Sequence, residues 1–287
     1  MKRIFSVLLV LLLLTGILAM SGCGRQEEPA ETEKAGDNSA NTFIVGFDAG
    51  FPPYGFMDDS GHYVGFDLDL AREVCRRRHW TFVAQPIDWD SKDMELTSGT
   101  IDCIWNGFTI NGREGKYTFS DPYADNTQSV VVRGDSDIHS LKDLKGKLVA
   151  VQTESSAESA LVHERKDLAA TFSGLDVEND YNTCFLNLDS GAVDAIAMDI
   201  GVADYQIATR RANARKKRHF RKHPTYRILK ESLASEQYAV AFKRGNTALR
   251  DQVQETLDEM MADGTFLKIA KKWKLDNMVI IKGETDS

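Results

Sequence analysis

Arg113 and Asp199 are the charged residues whose settings in the chain point most directly to chemistry. Arg113 closes the stretch Ser98-Gly99-Thr100-Ile101-Asp102-Cys103-Ile104-Trp105-Asn106-Gly107-Phe108-Thr109-Ile110-Asn111-Gly112-Arg113, which reads as helix end, tight turn, buried strand and polar loop. Its guanidinium is a planar fork of donors suited to a carboxylate. Asn106, Gly107 and Thr109 precede it, small and polar groups able to offer backbone and hydroxyl contacts to a small molecule. The opening of the stretch recurs downstream: Leu96-Thr97-Ser98-Gly99-Thr100-Ile101-Asp102-Cys103-Ile104 matches Leu188-Asp189-Ser190-Gly191-Ala192-Val193-Asp194-Ala195-Ile196. The loop after the second copy carries Met198 and Asp199 instead of amide and hydroxyl. Two such units with facing strand ends set anion-seeking and cation-seeking groups around one space, as an amino acid zwitterion requires.

The elements that must position these residues follow an α/β pattern. A strand over 42–47 ends at Asp48, and a turn with two prolines carries Phe51. A helix over 68–78, a strand over 80–84 and a helix containing Met94 and Leu96 lead to the Arg113 stretch. This β-α-β-α-β order predicts a mostly parallel sheet with helices on its faces. In such sheets ligands sit outside the carboxyl ends of the strands, where Asp48, Phe51, Trp89, Asn106 and Thr109 all fall. An extended segment over 129–133 is expected to cross to a second unit. That unit holds a strand over 147–152, a helix start with Ser155 and Glu158 at capping-box spacing, a strand over 175–181 and the second repeat. A return strand over 237–242 and two helices, over 249–262 and 266–273, end the chain.

At 287 residues the chain has room for two domains, and its net charge of −8 argues against nucleic acid as a partner. Lys2 and Arg3 precede an apolar stretch too short and interrupted for a membrane span, which reads as a signal peptide over 1–22. Met20-Ser21-Gly22-Cys23 resembles a bacterial lipobox, implying a lipid anchor on Cys23 and a polar linker to residue 41. Cys75, Cys103 and Cys184 read best as small core residues, with a Cys75–Cys103 disulfide open. Residues 210–223 hold eight Lys or Arg, two His and no acid, most simply a solvated helical face.

Val45-Gly46-Phe47-Asp48-Ala49-Gly50-Phe51-Pro52-Pro53-Tyr54, Gly65-Phe66-Asp67-Leu68-Asp69-Leu70-Ala71, Phe119-Ser120-Asp121-Pro122-Tyr123, Leu144-Lys145-Gly146-Lys147 and Ala262-Asp263-Gly264-Thr265-Phe266-Leu267-Lys268-Ile269 follow one another in order along the chain. Through them the chain, from about residue 41 to 275, resembles the amino-acid-binding lipoproteins of ABC importers. The resemblance implies an α/β fold of the type II periplasmic binding kind, two Rossmann-like lobes joined by two crossing strands. Lobe 1 would comprise residues 42–129 and 235–287, and lobe 2 residues 130–234. By position, Arg113 resembles the arginine that grips the ligand α-carboxylate, aided by Thr109, Gly107 and the helix start at Ser155 and Ser156. Asp199 matches the acid for the α-ammonium, Phe51 and Trp89 the aromatic pair around the side chain, and Asp48 an acid near its tip. Glu154 stands where the family usually has glycine and is expected to point to solvent.

The implied function is a lipid-anchored extracytoplasmic receptor that delivers a polar amino acid (glutamine, cystine or a basic one) to importer membrane subunits. No cofactor is expected. The rivals are a dehydratase or lyase on the same fold, for which the cleft offers no His or Cys, and an extracytoplasmic sensor.

Overall fold

A computed structural model describes residues 41–216 and 225–281. The signal segment, Cys23, the linker to residue 40 and residues 217–224, which include 217–223 of the basic stretch, lie outside them.

The described residues begin with β1 (Thr42–Phe47), a small antiparallel sheet of β2 (Gly50–Phe51), β3 (Gly55–Met57) and β4 (Tyr63–Val64), and helix α1 (Phe66–Arg78). β5 (Thr81–Pro86), α2 (Lys92–Ser98), β6 (Cys103–Ile104) and β7 (Thr118–Phe119) follow. The second unit comprises β8 (Ala124–Arg133), β9 (Leu148–Gln152), α3 (Ser156–Ser159), α4 (Lys166–Ala169), β10 (Gly174–Glu178), α5 (Tyr181–Ser190), β11 (Ala195–Asp199), α6 (Ile200–Lys216) and β12 (Tyr226–Ile228). β13 (Ala234–Tyr238) and β14 (Ala241–Phe242) lead back to α7 (Thr247–Ala262) and α8 (Thr265–Trp273).

Two sheets result. The first has the order β5-β1-β6-β14-β7 and the second β10-β9-β11-β8-β12, with β13 also paired to β8. β8 and β13 run antiparallel from Ala124↔Tyr238 to Gln128↔Ala234 and form the two crossings between lobes. The second sheet shows why its strands read as unbroken apolar runs. Val130, Val132, Val149, Val151, Ala195 and Ala197 enter one core, while Val131, Ala150, Ile196 and Met198 enter the other. Side chains alternate across a pleat, so a strand covered on both faces is apolar at every position.

The sequence repeat has a structural counterpart. α2 and α5 both end at a serine followed by a left-handed glycine, Gly99 at φ 83° and Gly191 at φ 80°. Asp102 then exchanges two hydrogen bonds with the backbone of Ile44, and Asp194 does the same with Leu148. Each aspartate ties the strand that follows it, β6 or β11, to a parallel neighbour, β1 or β9.

Several expected boundaries move. The 129–133 strand starts at Ala124, and the return strand splits into β13 and β14 around Ala239 and Val240. Both extensions are polar, with pairing to each other in place of an apolar face. The capping box at α3 is half made: Ser155 Oγ accepts from the Glu158 N–H, but the Glu158 carboxylate takes the N–H of Glu154. Cys75, Cys103 and Cys184 are buried free thiols, so the open disulfide is absent among the described residues.

Candidate functional site

The facing strand ends enclose a cavity of about 20 Å³ lined by Phe51, Trp89, Gly107, Arg113, Gln152, Ser155, Ser156 and Asp199. That is room for about one water rather than an amino acid, so the lobes are closed. Seven of these eight residues are among the ten expected from the sequence.

Arg113 reaches its place through a turn in which its N–H donates to the Ile110 carbonyl. Its guanidinium lies 4.6 Å from the Phe108 ring centre and donates at 3.3 Å to the carbonyls of Thr109 and, across the cleft, Glu154. No carboxylate among the described residues forms an ion pair with it. Burial pulls its pKa down, only partly offset by Tyr117, Glu236, Asp199 and Asp93. It is a partly buried cation aimed at a cavity and short of an anion.

Asp199, the last residue of β11, is 4 % exposed. It accepts from Tyr238 Oη at 2.5 Å, Gln128 Nε2 at 2.7 Å and Asn126 Nδ2 at 2.8 Å, with Tyr181 Oη at 3.5 Å. Burial raises its pKa, and the Tyr238 and Gln128 donors hold it down in part.

Thr109 and Ser156 meet across the cleft, with Oγ to Oγ1 at 2.7 Å. Ser155 caps α3 from within the cavity wall. Gly107 sits at φ 55°, and its N–H is already spent on Asp67 at 2.6 Å. A Cβ there would lie 3.0 Å from both the Phe51 and Tyr238 rings. Phe51 packs toward Tyr54 and Tyr181, and Trp89 edges onto Phe108 at 5.6 Å.

Asn106 and Asp48 lie outside this cavity. Asn106 is buried behind it, its Oδ1 accepting from the Asp48 N–H at 3.0 Å. Asp48 accepts from Gly50 N and from Gln152 Nε2 of the second lobe, both at 2.7 Å. It lines an adjoining chamber of about 230 Å³ with Ile87, Asp88, Trp89, Asp90, Thr153, Asn179 and Asp180. Desolvation raises its pKa, with smaller contributions from Asp180 and Asp88. Trp89 borders both spaces.

Glu154 adopts φ 51°, a conformation that costs glycine little. Its carboxylate is half exposed and pairs with the amine of Lys92, a buried residue of the first lobe that also donates to the Trp89 carbonyl at 3.0 Å. Glu154 is thus exposed, as expected, while its carboxylate also reaches Lys92 across the cleft.

Gln152, Lys92, Glu236, Asn126 and Gln128 were not anticipated. A usable signal existed for the last three. Asn126 and Gln128 sit two apart on β8, and Glu236 and Tyr238 two apart on β13, so each pair shares one face of its strand.

Two α/β lobes on two crossing strands, closed over a cavity with a cation on one wall and an acid on the other, define a solute-binding receptor of the type II periplasmic kind. The profile described as "Bacterial extracellular solute-binding proteins, family 3" matches residues 43–276, and the chain belongs to that family. It is 29% identical over 238 residues to the L-cystine-binding protein TcyJ of Escherichia coli K12, covering 81% of this chain and 82% of that one. It is 29% identical over 291 residues to the ABC transporter glutamine-binding protein GlnH of Bacillus subtilis 168, covering 95% and 97%. Among solved structures, an ancestral arginine-binding protein bound to glutamine superposes with a TM-score of 0.72 at 36% identity, covering 82% and 98%. These relatives are amino-acid-binding proteins. Among the described residues no helix is long and apolar enough to cross a membrane.

Proposed function

We propose that this protein is an extracytoplasmic receptor, held at the membrane by lipid on Cys23, that captures a polar α-amino acid between lobe 1 (residues 42–129 and 235–287) and lobe 2 (residues 130–234) and delivers it to an ABC importer. The observation that carries this reading is Arg113, which lines the cavity without a carboxylate partner among the described residues while Asp199 lines the same cavity. The ligand carboxylate docks on Arg113, with Thr109, Ser155 and Ser156 around it, and the ammonium docks on Asp199. The side chain passes between Phe51 and Trp89 toward Asp48.

The chamber beyond Trp89 bears Asp48, Asp88, Asp90 and Asp180, which suits a side chain ending in N–H donors. Glutamine and arginine have that chemistry, and relatives named for glutamine, arginine and cystine support the same group. Because the cavity between the lobes is too small for an amino acid, entry requires the lobes to part, and binding shifts an open–closed equilibrium.

A thermal-shift screen of the twenty amino acids plus cystine and ornithine tests the reading. At a hundredfold excess over Kd a binding amino acid stabilises by about 2.7 kcal/mol. A flat screen contradicts the assignment.

A further inference from the structure

Asp199 does not stand alone at its end of the cavity. Glu236, on β13, is 7 % exposed and faces it through two shared amides. Asn126 Nδ2 donates to Asp199 Oδ1 at 2.8 Å and to Glu236 Oε1 at 2.6 Å. Gln128 Nε2 donates to the same two oxygens at 2.7 and 2.8 Å. One nitrogen bonded to both oxygens holds them within a few ångströms of each other. Thr109, which carries the cross-cleft contact to Ser156, also hydrogen-bonds Glu236.

The charged and titratable groups facing Glu236 are Asp199 on β11, Tyr238 on β13, Tyr181 on α5, Tyr54 in the β2–β3 turn, and Arg113. Among the described residues only Arg113 is a cation here, and it forms no ion pair with either acid. The three tyrosines are fully buried, and burial raises each of them well above the ordinary phenol range. They serve as neutral donors at most. The amides spend their N–H groups on the acids, and the carbonyls of Asn126 and Gln128 are buried without a partner among the described residues. The surplus at this site is therefore of acceptor oxygens, from side chains more than nine-tenths buried. A cation with three N–H donors answers that surplus.

We infer that Glu236 is a second acid of the ammonium seat, that it and Asp199 hold one proton between them in the unliganded protein, and that an arriving ammonium displaces this proton to solvent. Two carboxylates this close and this buried cannot both ionise cheaply. Burial is the largest cause raising Glu236, and the charge of Asp199 is the next. The exchange balances in charge: the ligand brings one positive charge, one O–H bond breaks, and one proton leaves. Affinity then rises with pH up to the upper titration of the pair and is flat above it. The inference rests on the amino-acid reading of the cleft.

Calorimetric titration of the full chain with L-glutamine, L-arginine and L-cystine at pH 6 and 7.5, each in two buffers of different ionisation heat, counts the protons. For whichever amino acid binds, wild type should release close to one proton at pH 6 and fewer at pH 7.5, with affinity gaining up to about tenfold per pH unit between them. Glu236→Gln, which keeps the side-chain shape, should release almost none and flatten the pH dependence. Binding at pH 6 without proton release, or equal release by Glu236→Gln, would overturn the inference and leave the receptor reading intact. No binding by these three or by any amino acid of the thermal-shift screen would overturn both. The wild-type proton count decides the matter even if the variant does not fold.

Discussion

The Lys92 amine of the first lobe and the Glu154 carboxylate of the second form an ion pair across the mouth of the cleft. Lys92 is buried, so its pKa is drawn down by desolvation and restored in part by Glu154. With the Asp48–Gln152 and Thr109–Ser156 hydrogen bonds, the pair favours the closed lobes. Because Glu154 is half exposed, screening limits the pair to about 1 kcal/mol. Glu154→Gln should therefore shift the unliganded protein toward the open form by about fivefold. Small-angle scattering without added amino acid would register a larger radius of gyration than wild type; an identical radius would refute the latch.

Gly107 occupies a left-handed conformation between two rings, each 3.0 Å from where its Cβ would stand. Gly107→Ala combines backbone strain with displacement of Phe51 and should cost about 2 kcal/mol of stability. Chemical denaturation measures that loss. The displaced ring should also weaken amino-acid binding, which separates Gly107 from glycines such as Gly112 that have nothing within 4 Å.

Asp67 provides a pH signature independent of ligand. It is fully buried and accepts from Gly107 N–H and Tyr123 Oη, yet desolvation raises its pKa from 3.8 to about 7. The folded state thus retains a proton that the unfolded chain has lost between about pH 4 and 7. Stability from this group is full below its unfolded pKa and falls as pH rises through 7, by up to about 1.4 kcal/mol per unit. The salt-bridged Glu73, held near 2, titrates below this window and does not obscure it. Denaturation at pH 5, 6 and 7.5 should show wild type losing stability with rising pH and Asp67→Asn losing less. Parallel profiles would contradict the assignment.

The site was legible from the sequence to different depths. The repeat exposed the two strand ends, because a helix stop, a glycine and an apolar run are local signals, and Asp102 and Asp194 explain why it carries an acid in both copies. Arg113 and Asp199 could be read as opposed charges for the same reason. Glu236, Asn126 and Gln128 escaped notice because their strands, β8 and β13, are polar where they pair, and only the long-range pairing brings their faces together. Gln152 looked like the end of a core strand, and its bond to Asp48 exists only once the lobes meet. Glu154 was read alone because its partner Lys92 lies 62 residues away.

The central claim is that Arg113 holds the ligand carboxylate. Calorimetric titration of Arg113→Ala with the amino acid that wild type binds tests it most directly. Loss of a buried charge-assisted pair costs about 2–5 kcal/mol, so affinity should fall by at least about thirtyfold, with the fold and melting temperature retained. A variant that binds the amino acid as tightly as wild type would contradict the account.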